Sequence, residues 1–229
     1  MTNVAREKKL QMMAVAGALS RSESSVDRRK GNDLGQVVEL TDGVWSDRLS
    51  LLDVGPGPRR TLVVSVRLDV TGLIWQGDAQ PHRGFDVALA IPNNYPLAAP
   101  LVVVNNPTPF SMNVLHGDFV PNPQGLPGEL QQILRDGHDG FCCYSLASEW
   151  CADLDHNLAL VLWQVSRILV GAKIHGEQYA LNRQARDRYL QLRQDGLLPL
   201  GPALPTPVSL AAVAAGGPMD EAIEWIEED

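Results

Sequence analysis

The chain has little lysine, few cysteines and no surplus of positive charge, and each shortage removes a class of function. Lysine occurs only at Lys8, Lys9, Lys30 and Lys173, against fifteen arginines, and the formal net charge is -8 over 229 residues. Affinity for a nucleic-acid backbone comes largely from Lys and Arg neutralising phosphates, and no basic stripe offsets the deficit, so nucleic acid is not the expected partner. Long apolar runs are missing too. After Arg6, Lys8 and Lys9 the apolar residues come in broken groups, giving neither a signal peptide nor a membrane span. The three cysteines, Cys142, Cys143 and Cys151, fall within ten residues. Adjacent cysteines have the wrong geometry for a bridge, so the thiols are expected to be reduced and the protein cytoplasmic, with no cofactor.

What is present reads as one domain with extensions. Leu10, Met13, Ala14 and Gly17 have helical spacing, which predicts an amphipathic helix over 1–20. Ser20–Gly35 is polar and charged and is expected to be a mobile linker. Short β-type runs follow at Gln36–Leu40 and Arg48–Val54, then at Thr61–Val70, where Leu62, Val64, Val66, Leu68 and Val70 alternate with the strand period. Phe85–Ile91 and Leu101–Val104 complete a set of strands whose short connections favour antiparallel neighbours. Between them Pro92, Pro96 and Pro100 force an extended loop. Pro107–Gly140 is irregular apart from a helical patch at Glu129–Leu134, and a loop of that length inside a domain is usually functional or disordered. Two helices follow, Leu154–Val170 and about Glu177–Gln194. The expected organisation is therefore a helix and linker over 1–35, a domain over 36–196, and a Pro/Ala-rich spacer with an acidic end over 197–229, where Met219, Ile223 and Ile226 keep helical spacing.

One stretch, Gly140 to Trp150, joins a reactive atom to a structural anchor. Cys142 follows a Gly-containing turn and precedes Trp150 by eight residues. The bland reading is that any free cysteine is more often packing than chemistry. A zinc site from His138, Cys142, Cys143 and Cys151 is a weaker reading, because no Cys-x-x-Cys pair exists and adjacent cysteines are poor joint ligands. A Cys–His hydrolase pairing Cys142 with His138 is a further alternative.

The order of these pieces resembles the ubiquitin-conjugating enzymes. Phe85–Pro92, then Tyr95-Pro96 and Pro100, is similar to that family's strand ending in proline, Tyr-Pro and downstream proline. Gly140-Phe141-Cys142 with Leu146 and Trp150 is similar to its Gly-x-Ile-Cys-Leu segment, in which tryptophan lies eight residues past the nucleophile. Asn182, Ala185 and Tyr189 echo its last helices. The usual His-Pro-Asn ahead of the cysteine is missing: the nearest echoes are His116-Gly117-Asp118 and Pro121-Asn122, with His138 as another candidate. Such looseness, with Arg-rich and Lys-poor composition, resembles the bacterial ubiquitin-conjugating-like proteins that accompany activating, ubiquitin-like and deconjugating partners, often in phage defence.

The resemblance implies an α+β fold: an N-terminal helix, a four-stranded antiparallel meander and two C-terminal helices packed on the sheet. It implies that Cys142 accepts a ubiquitin-like protein from a ubiquitin-activating-like enzyme as a thioester and passes it to a lysine of a protein target. Thiolate suits this because it is both nucleophile and leaving group, although an unperturbed thiol of pKa ~8.5 needs help at neutral pH. Transfer to an amine passes through an oxyanion, and one aimed donor is worth roughly 100- to 1,000-fold in rate. Asn122 or His138 would be that donor, and Asp153 or Asp155 would orient the acceptor lysine. The missing His-Pro-Asn also motivates a rival: a non-catalytic binding or scaffold module of the same fold.

Overall fold

The computed structural model describes residues 3–57, 61–105, 107, 109–111, 114–115, 140–144, 150, 156–174 and 182–207. Two helices lead, α1 (Asn3–Ser20) and α2 (Ser25–Asp42). A six-stranded antiparallel sheet follows: β1 (Leu49–Pro56), β2 (Leu62–Trp75), β3 (Ala79–Ile91), β4 (Leu101–Asn105), β5 (Val114–Leu115) and β6 (Gly140–Cys142), in the order β1-β2-β3-β4-β6-β5. Helices α3 (Leu158–Val170) and α4 (Arg183–Gln194) come last. The class is α+β. Among the described residues no helix is long and apolar enough to cross a membrane.

The sheet is two-faced because strand side chains alternate. Val64, Val66 and Leu68 of β2, Val87, Leu89 and Ile91 of β3, and Val102 and Val104 of β4 are all buried on one side. Helix α3 shares that core through Leu158, Val161, Leu162, Val165, Ile168 and Leu169. Asn157 starts α3 by accepting from the Leu160 N–H at 2.9 Å, and Gly171 ends it at a φ of 79°, a left-handed cap that favours glycine. A Cβ there would also stand 2.8 Å from a Leu198 methyl and 2.9 Å from the Tyr189 ring. Helix α4 packs Ala185, Tyr189 and Leu192 with Leu73 and Phe110 as a second, smaller core.

The N-terminal part differs from the sequence expectation. The stretch 20–35, expected to be a linker, and Gln36–Leu40, expected to be a strand, lie mostly within α2, so the boundary placed at residue 35 falls inside a helix. Ser24 caps it by accepting from the Asp27 N–H, and Leu34, Val37 and Val38 are buried at i, i+3 and i+4. The apolar stripe is narrow, which made the segment read as solvated. In α1 the helix is as expected but its inner face is not: Met12 and Ala16 are buried, whereas Leu10 and Met13 are half-exposed. Lys8 and Lys9 pair with Asp53 and Asp42 and so help hold this helix on the domain.

Gly31 lets the two helices touch. A Cβ there would lie 2.4 Å from the Ser20 nitrogen and 2.7 Å from the Ala16 carbonyl oxygen, while one at Gly35 would meet nothing within 4 Å. Gly31→Ala is therefore expected to lose about 1–3 kcal/mol from overpacking. Gly35→Ala is expected to gain about 0.5–1 kcal/mol from helix propensity. Urea unfolding of the two variants checks the opposite signs.

The proline-rich stretch expected to be a spacer packs back on the domain as far as residue 207. Leu204 is buried, and its N–H donates to Ser166 Oγ at 3.0 Å. The Trp45 indole N–H donates to the Pro205 carbonyl at 2.8 Å, and Arg48 donates to the carbonyls of Pro202 and Ala203. Lacking their own donors, prolines suit a strap whose carbonyls are used by other segments. The patch Glu129–Leu134 and the segment Met219–Asp229 lie outside the described residues.

Candidate functional site at the double cysteine

Strand β6 is short and lies between two others. Cys142 stands opposite Val102 of β4 and opposite Val114 of β5, and Phe141 opposite Val103 and Leu115. Alternation then decides which thiol faces where. Cys142 joins Val102 and Val104 in the main core at 1% exposure, and Tyr144 joins it at 6%. Phe141 packs with Ala90 and Val103 on the opposite face. Cys143, just past the strand end, is half-buried and reduced.

This placement corrects the expected accessibility of Cys142. A sulfur that holds another protein must be reached by it, and this one is enclosed. Burial also pushes the Cys142 thiol far above its ordinary pKa; the neighbouring Cys143 adds to the rise and Lys173 opposes it. Such a thiol remains protonated at neutral pH, and a thiol is a poor nucleophile. Asn122 and His138 lie outside the described residues, as do His116, Cys151, Asp153 and Asp155. Among the described residues no three His, Cys, Asp or Glu side chains come together in a way that could hold a metal ion.

The segment that carries the thiols is fastened on both sides. The Tyr144 hydroxyl donates to the Pro100 carbonyl at 2.9 Å, and the Trp150 indole N–H donates to the Pro96 carbonyl at 2.7 Å. Trp150 lies among Tyr95, Tyr144 and His156, with ring centroids 6.2, 6.5 and 5.4 Å away. Each donor is thus satisfied by the proline-rich loop, whose prolines leave carbonyls but no N–H groups to offer. Lys173, beyond the end of α3, donates its ammonium to the Tyr144 carbonyl at 2.8 Å.

Behind this clasp lies a buried polar node from α2. Arg29 Nε is 2.9 Å from both Asp33 carboxylate oxygens, Arg29 also donates to the His156 carbonyl at 2.9 Å, and the Tyr95 hydroxyl donates to Asp33. The side chains of Arg29 and Asp33 are only 13% and 8% exposed. Burial raises the Asp33 carboxyl above the usual carboxylate range, while the hydrogen bonds from Tyr95 and Arg29 pull it back. The node links α2, the loop bearing Tyr95 and the approach to α3.

Sequence reasoning placed Cys143 inward as a packing residue, and it singled out neither Lys173 nor the Arg29–Asp33–Tyr95 node. The parity of Cys142 and Cys143 was available only through the partner strands, since both residues occupy the same apolar, β-prone context. The i, i+4 spacing of Arg29 and Asp33 was visible, but their partner Tyr95 is 62 residues away from Asp33. No family model matches the chain, and no curated protein or solved structure matches it either.

Proposed function

We propose that the chain is a ubiquitin-conjugating-like transferase and that Cys143, not Cys142, is the thioester carrier. The observation that carries this reading is the half-buried Cys143 thiol at the end of β6, next to a core-facing Cys142. Supporting it are the antiparallel meander β1–β4 with helices before and after it, the Tyr95-Pro96 loop, and Trp150 clasped to that loop. Laid on Gly140, the family's Gly-x-Ile-Cys-Leu frame puts Cys142 in the apolar isoleucine place and Cys143 in the cysteine place. Trp150 is then seven residues on instead of eight, one departure from the family pattern.

The reaction follows from thiol chemistry. The Cys143 thiolate attacks the C-terminal carbonyl of a ubiquitin-like protein held on an activating enzyme; a new C–S bond forms, the old one breaks, and the enzyme's sulfur leaves as thiolate. A neutral lysine amine of the target then attacks the same carbonyl. A C–N bond forms, Cys143 leaves as thiolate, and the extra amine proton passes to solvent or base. Asn122 or His138 is assigned the oxyanion donor on sequence grounds.

The test is incubation with the activating-like enzyme, ATP and the ubiquitin-like protein. A reductant-sensitive adduct is expected in the unmodified protein and in Cys142→Ala, and none in Cys143→Ala. An adduct lost in Cys142→Ala but kept in Cys143→Ala overturns the assignment. The burial of Cys142 favours a second reading, a non-catalytic module that binds the ubiquitin-like protein. Binding by titration calorimetry with no adduct in any folded variant selects that reading.

A further inference from the structure

Resting on the assignment of Cys143 as carrier, we propose that Lys173 is a positioning residue for the thioester step, whose ammonium fixes the Tyr144 carbonyl and stabilises the Cys143 thiolate. Lys173 is the one lysine beyond residue 30 in the whole sequence. It is presented by the turn that ends α3: Gly171 adopts the left-handed cap, and the Ala172 and Lys173 N–H groups both return to the Arg167 carbonyl. From that turn the half-buried side chain reaches the Tyr144 carbonyl at 2.8 Å, one residue past Cys143. Tyr144 is itself held by its bond to Pro100, so the cation and the thiol segment keep a fixed relation.

Among the described residues, Lys173 is a charged side chain bonded to the segment that carries the thiols. Strands β4 and β5, which flank β6, contain no charged residue, and neither does the loop Pro92–Pro100. Helix α3 contributes only Arg167, whose guanidinium lies over the Trp163 ring at 4.7 Å. Cys142 and Tyr144, which flank Cys143 in the chain, are kept protonated by burial. The effect of Lys173 on Cys142 has the same sign, favouring the anion, but there burial overwhelms it. Cys143 is nearer to solvent than Cys142.

The experiment is site-resolved alkylation by iodoacetamide from pH 6 to 10, with modified Cys143 quantified by fragment mass spectrometry. Lys173→Met is expected to slow Cys143 alkylation at pH 7 by about 3- to 10-fold, to move the whole profile to higher pH, and to leave the plateau unchanged. Lys173→Arg is expected to restore the original profile. A superimposable profile in Lys173→Met overturns the inference and leaves Cys143 available as carrier. Absence of Cys143 alkylation in the folded protein at every pH removes both the inference and the carrier assignment.

Discussion

Arg29→Met is expected to lower stability by about 3–5 kcal/mol, because it strands the Asp33 carboxylate in a buried place with one of its two partners gone. Arg29 and Asp33 are both largely enclosed, and Arg29 supplies a contact to each carboxylate oxygen as well as a bond to the His156 carbonyl. Its methylene stem is replaced well by methionine, so the loss reports the charge and hydrogen bonds more than the packing. The double substitution Arg29→Met with Asp33→Leu is expected to recover most of the loss, since replacing both members of a buried pair by apolar groups removes the desolvation cost along with the attraction. Urea unfolding of the two single variants and the double closes this cycle. A loss under 1 kcal/mol in Arg29→Met would mean that solvent, not protein, solvates Asp33.

Raising the pH from 8 to 10.5 is expected to cost about 5 kcal/mol of stability, more than the effect of any single substitution at an exposed position. Burial lifts the Cys142 thiol and the hydroxyls of Tyr95, Tyr144 and Tyr189 above their ordinary pKa values. In the unfolded chain the thiol loses its proton near pH 8.5 and the tyrosines near 10, as is usual for these groups in water. The folded state keeps those protons over that range, so it binds more of them than the unfolded state, and stability falls as pH rises. Below about pH 8 both states are protonated and the contribution is fully present. Cys142 accounts for about half of the loss because its unfolded pKa is crossed first. Cys142→Ala is therefore expected to lower the slope between pH 9 and 10 by about 1 kcal/mol per unit, whatever the cavity costs in absolute stability. Unchanged slopes would place the thiol in contact with water.

Several elements were legible because one periodicity dominated them. The alternation of Val64, Val66, Leu68 and Val70 is that of β2, and the apolar run around Leu162, Val165 and Leu169 is that of α3. Helix α2 was hidden by composition: Arg28, Arg29, Lys30, Asn32 and Asp33 hide a stripe of three aliphatic residues, and two of its polar residues are buried as a paired node or a packed stem. The strap at 202–205 was illegible for another reason. Prolines predict an extended segment with free carbonyls, but only the presence of Trp45, Arg48 and Ser166 decides whether those carbonyls and the intervening Leu204 meet solvent or protein.

By itself the sequence determined the α+β class, the run of strands from Leu49 to Asn105 and the crowding of thiols beside an aromatic anchor, since these depend on local periodicity and composition. Only the tertiary structure decided which cysteine looks inward. A strand presents successive residues to opposite faces, and the choice between the two was made by the pairing of β6 with Val102 and Val114. The same non-local choice brought Lys173 to Tyr144 and Asp33 to Tyr95, because long-range contacts fix partners that neighbouring residues cannot specify.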